Sequence, residues 1–88
     1  MMAEIHQINP LGTVRELLGD IVGSQVVGGI ADDDQLFERM LLDSLHLITL
    51  VTSLEERCQV AVRPEDLIPE NFQSIAAISD FIAANSRA

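Results

Sequence analysis

An all-α fold is predicted: a small bundle of three main helices plus one short helix, with a long first loop. Three observations predict it. Apolar residues recur at helical spacing in three separate stretches. Aromatic residues make up only 3% of the chain, so the core must be Leu, Ile, Val and Ala, which suits helices packed on helices. Short connections between the later elements force neighbours to pack together. With 88 residues, the chain has room for one core and no second. Its 48% hydrophobic content is too high for disorder. A single domain is expected over 13–86, after a leader at 1–12 that is expected to fray and before a tail at 87–88.

The elements follow in order. Thr13-Val14-Arg15-Glu16 fits a capping box, in which Thr13 and Glu16 satisfy each other's backbone donors. Val14, Leu17, Leu18, Ile21 and Val22 then make one helical stripe. Pro10 offers an alternative, earlier start, and Gly23 a stop. From Ser24 to Leu42, Gly28-Gly29 and Asp32-Asp33-Asp34 break any regular element. A connection this long is usually functional or disordered. Val26, Val27, Ile30, Leu36, Phe37, Met40 and Leu41 argue against disorder and are expected to pin it to the helices.

Ser44 to Cys58 reads as the second main helix. Leu47, Leu50, Val51, Leu54 and Cys58 share one broad arc at about 100° per residue, while Leu45, Ile48 and Thr52 fall outside it. Glu55, Glu56 and Arg57 close the helix with a charged edge. Gln59 to Val62 is a short apolar link. Pro64-Glu65-Asp66-Leu67 has the Pro-then-acid signature of a single helical turn, ended by Pro69. Phe72 is an expected anchor. Ser74 caps a last helix carrying Ile75, Ile78, Phe81 and Ile82.

Charge and composition exclude several functions. The net charge is −9, and all five basic residues are arginines, Arg15, Arg39, Arg57, Arg63 and Arg87. Nucleic acid and anionic membranes repel such a chain. No apolar run approaches the ~20 residues of a membrane span, and the N-terminus lacks the features of a signal peptide. A cytoplasmic monomer is expected. Cys58 is the only cysteine, which excludes an internal disulfide and a Cys-based zinc site. His6 and His46 have no ligand spacing. Asp32-Asp33-Asp34 fails the calcium-loop template, because its fifth and sixth positions would be Leu36 and Phe37. No metal is expected.

Asp43-Ser44-Leu45 stands where the irregular acidic stretch gives way to helical periodicity. Taken alone, it reads as a helix cap. The first turn of a helix also presents free backbone N–H groups and partial positive charge, which favour a phosphate. A serine hydroxyl there is well placed to carry a phosphoester.

The wider pattern narrows that choice. Leu36-Phe37-Glu38-Arg39-Met40-Leu41-Leu42-Asp43-Ser44-Leu45, then Leu54-Glu55-Glu56-Arg57, Pro64-Glu65-Asp66-Leu67, Pro69-Glu70-Asn71-Phe72 and Ser74-Ile75-Ala76-Ala77-Ile78, resembles the acyl carrier protein family. That family includes peptidyl, aminoacyl and D-alanyl carriers. The resemblance runs from about Thr13 to Ala84, and it is the ordered combination that is specific. It implies a freestanding carrier domain with 4′-phosphopantetheine attached to Ser44, on which an acyl or aminoacyl group rides as a thioester. It further implies that Asp43, besides capping the helix, is read by a phosphopantetheinyl transferase near its metal. Leu45, Ile48 and Thr52 become a docking stripe for partner enzymes; the competing reading is that the long loop covers them as core. The partners implied are the transferase, an adenylating acyl or aminoacyl ligase and downstream acyl-transferring enzymes. Lipid, polyketide and nonribosomal peptide synthesis are the pathways in which such carriers serve.

The alternative is an unmodified, non-catalytic helical interaction domain with a carrier-like fold. A hydrolase using Ser44 is disfavoured. His46 lies two residues on and ~200° round the helix, no third orienting group is evident, and no elbow glycines flank Ser44. No catalytic residue is therefore expected. Two departures from the family stand out. Fatty-acid carriers place acids just after the serine motif, where this chain has His46 and Thr49, which points away from ordinary fatty-acid synthesis. Met40 occupies a position where relatives often have Gly, predicting a different loop path. Cys58 falls on the core stripe as a small buried hydrophobe.

Overall fold

A computed structural model of the protein describes residues 10–39 and 41–85. Helix α1 spans Pro10–Val22, α2 Ser24–Gly28, α3 Ser44–Cys58, α4 Pro69–Phe72 and α5 Ile75–Asn85, with a 3₁₀ turn at Pro64–Asp66. The three main helices are α1, α3 and α5. The expected all-α architecture is borne out, with α1 packed on α2, α3 and α5, and α4 on α5.

The core is mainly aliphatic, as the composition requires. Val14, Leu17 and Leu18 from α1 meet Leu50, Leu54 and Cys58 from α3 and Ile75, Ile78, Phe81 and Ile82 from α5. Burial of such side chains stabilises the fold by roughly 1.5–3 kcal/mol each. Phe72 is fully buried and stacks obliquely on Phe81, with ring centroids 5.6 Å apart. Cys58 is buried without a disulfide, and burial pushes its thiol pKa up.

Several boundaries differ from expectation. Helix α1 opens at Pro10, so Thr13 lies inside the helix and not at its cap. Pro at the first turn loses no intrahelical bond, which explains the earlier start. That start also falls within the 1–12 stretch assigned to a leader; the rest of the leader, Met40 and the 87–88 tail lie outside the described residues. Gly23, at φ 104°, ends α1 in a conformation that favours glycine. The chain then restarts at once as α2, a short helix absent from the sequence reading. Pro69 begins α4 and does not merely end the preceding turn.

The connection from α2 to α3 is tied down along its length. The Arg15 guanidinium donates to the carbonyls of Val27 and Ile30, at 3.1 and 2.7 Å, and to the Asp32 carboxylate at 2.7 Å. It thereby ties α1 to Val27 in α2 and to Ile30 just beyond it. Asp34 accepts from the Ala31 N–H and pairs with Arg39 at 2.9 Å. Ala76 N–H donates to the Asp32 carbonyl, and Leu36 N–H to the Gln73 carbonyl. Val27, Ile30, Leu36 and Leu42 are buried beneath, with Phe37 and Leu41 packed beside them; Val26 remains exposed.

Candidate functional site

The loop delivers the chain to α3 through Leu42, which is buried, and then Asp43, which is exposed. Asp43 is the N-cap: its backbone is extended, and its carboxylate accepts from the His46 N–H at 2.8 Å. Asp satisfies one of the four donors that every helix start leaves open. That N–H, foremost among its neighbours, holds the Asp43 carboxyl below the usual carboxylate range.

Ser44 is therefore the first helical residue and is exposed. With Asp43 doing the capping, the Ser44 hydroxyl is engaged by no other described residue. It stands at the positive end of a helix of 15 residues, beside backbone donors suited to a phosphodiester. These residues fit a covalently attached phosphopantetheine: a free nucleophilic oxygen, open surroundings and a favourable local field.

His46 is turned to the loop. Its Nδ1 lies 3.4 Å from the Leu41 carbonyl oxygen and 3.7 Å from the Asp43 carboxylate. An open cleft of about 590 Å³ between α1 and α2 is lined by Gly12, Arg15, Gly19, Asp20, Ser24 and Gly28 among others, and Ser44 takes no part in it. Among the described residues no group of three or more His, Cys, Asp and Glu side chains could hold a metal ion. Asp32 and Asp34 are committed to Arg15 and Arg39 instead. No described helix is long and apolar enough to cross a membrane.

Beyond Ser44, the outward side of α3 carries Leu45, 70% exposed, and Ile48, 63% exposed. The loop does not cover them. Thr49 and Thr52 share this side, and each hydroxyl donates to a carbonyl one turn back, that of Leu45 at 3.1 Å and of Ile48 at 3.0 Å. The ties made by Arg15 and His46 were not legible in the sequence, because both depend on carbonyls whose position only the folded loop defines.

No individual curated protein matches the chain. A family model described as phosphopantetheine attachment site matches residues 12–82, most of its length. The chain belongs to the phosphopantetheine attachment site family, whose members carry 4′-phosphopantetheine covalently on a serine.

Proposed function

We propose that Ser44 is the attachment serine, and that the chain is a carrier domain over 13–86 that presents acyl or aminoacyl groups to partner enzymes. The observation that carries this reading is the division of labour at the start of α3. Asp43 takes the capping role, so the exposed Ser44 keeps a hydroxyl that no other described residue engages. In the loading step the Ser44 Oγ bonds to phosphorus of coenzyme A as a pyrophosphate P–O bond breaks and adenosine 3′,5′-bisphosphate leaves. The hydroxyl proton passes to a base on the transferase, since His46 is turned to Leu41. When bound, the arm supplies a terminal thiol that holds cargo as a thioester and raises its effective concentration at a docked enzyme.

On this reading Asp43 also faces the phosphopantetheinyl transferase, and Leu45, Ile48 and Thr52 form the docking stripe. Their exposure supports that role, as interfaces commonly centre on apolar groups. An adenylating acyl or aminoacyl ligase loads the thiol, downstream acyl-transferring enzymes unload it, and the protein works as a cytoplasmic monomer without catalysis of its own. Incubation with coenzyme A and a promiscuous phosphopantetheinyl transferase should add one phosphopantetheine to the intact mass of the wild type and nothing to Ser44→Ala. An unmodified wild type would instead make the chain a non-catalytic interaction domain. Addition that survives Ser44→Ala would move the site elsewhere.

A further inference from the structure

We propose that His46 is a positioning residue for the modification of Ser44, tying the end of the long loop to the first turn of α3. The inference rests on Ser44 being the attachment serine. A relay of polar contacts runs from the residues just before α5 to Asp43, the neighbour of that serine. Gln73, just before α5, accepts from Leu36 N–H at 2.8 Å, and the Leu36 carbonyl accepts from Leu41 N–H at 2.9 Å. The Leu41 carbonyl faces His46 Nδ1 at 3.4 Å. The backbone N–H of His46 donates to Asp43 at 2.8 Å.

His46, two residues after Ser44, thus reaches back past the serine at two points. Its ring holds the chain three residues before the serine, and its backbone holds the residue immediately before. With the proton on Nδ1 the imidazole donates to Leu41, so Leu41 is bonded through both its N–H and its carbonyl. A carboxylate at position 46 has no proton to donate at neutral pH. It would face the Leu41 carbonyl with like polarity and stand beside the Asp43 carboxylate. The side chain remains about one-third exposed, at 37%, so its replacement leaves the core intact.

The relay holds Ser44 in one conformation before a transferase docks. Without the ring, the loop end and the first turn sample others, and only the fraction with Ser44 correctly presented is bound. The apparent KM then rises in inverse proportion to that fraction, while kcat is unchanged. Asn restores the donor, since its amide nitrogen can sit where Nδ1 sits; Gln, one methylene longer, sends the amide past it.

The experiment measures steady-state phosphopantetheinylation of the full chain by a promiscuous transferase with coenzyme A. The chains compared are wild type, His46→Ala, His46→Asn, His46→Gln and His46→Asp. Expected is a rise in KM of about threefold to tenfold for Ala, Gln and Asp, the scale of one lost hydrogen bond, with near wild-type KM for Asn. Melting temperatures are measured alongside. Equal KM in all five chains, or Asn no better than Ala, would overturn the positioning role while leaving Ser44 as the attachment site. A wild type that takes up no phosphopantetheine would overturn both readings.

Discussion

Asp43 caps α3 through its carboxylate. As a cap it benefits from its negative charge, because an ionised carboxylate accepts the His46 N–H more strongly than a neutral one. The folded state therefore lowers its pKa beneath the ordinary value of 3.8. A carboxyl depressed by folding contributes stability that is fully present above the unfolded pKa and is lost as pH falls through the folded one. The window thus lies below about pH 4. Asp43→Ala should melt below wild type at pH 7, and the gap should narrow as pH drops from 4 toward 3. Thermal melts of both chains at matched ionic strength check this. A gap constant from pH 7 to pH 3 would show that the ionised cap adds nothing.

At the scale of elements, α3 separates structure from function by face. Leu50, Leu54 and Cys58 are buried on one side, while Leu45 and Ile48 stand free on the other. Truncating an exposed side chain shifts stability by about 0.5 kcal/mol or less. Losing a central interface anchor costs about 1–2 kcal/mol, or roughly tenfold in kcat/KM. Leu45→Ala and Ile48→Ala should therefore keep their melting temperature and lose turnover with the transferase. A large fall in melting temperature at unchanged turnover would assign both residues to the core. Much of this helix was legible in the sequence, because its governing rules are local. Asp43 announces a cap, periodicity sorts its faces, and Ser74 caps α5 by accepting the Ala77 N–H just as its position suggests. Helix α2 was not legible, since five residues do not hold a helix on propensity alone. Arg15, twelve and fifteen residues away from the carbonyls it holds, closes it from another element. The role of Thr13 failed for the same kind of reason, because Pro10 had already opened the helix upstream.

The whole molecule carries a net charge of −9 with an isoelectric point near 4.3. Two electrostatic effects compete in its stability. Ion pairs such as Arg57–Glu16, Arg39–Asp34 and Arg15–Asp32 favour the fold, but all involve partly or largely exposed groups. Exposed pairs contribute about 0–1 kcal/mol each, and salt weakens them. Against them stands the mutual repulsion of acids along the loop, in the 3₁₀ turn and on α1, which compaction draws together and which salt also screens. Nearly three acids are present for each base (14 against 5), so repulsion outnumbers attraction and its relief should dominate. Raising NaCl from about 10 to 150 mM shortens the screening length from ~30 to ~8 Å. That is enough to separate opposite ends of the loop while leaving contacts at hydrogen-bond distance the least affected. The melting temperature should climb across this range at pH 7. A melting temperature that fell with salt at pH 7 would mean that the arginine pairs tying the loop and α3 to α1, rather than the repulsion among acids, set the electrostatic balance of the fold.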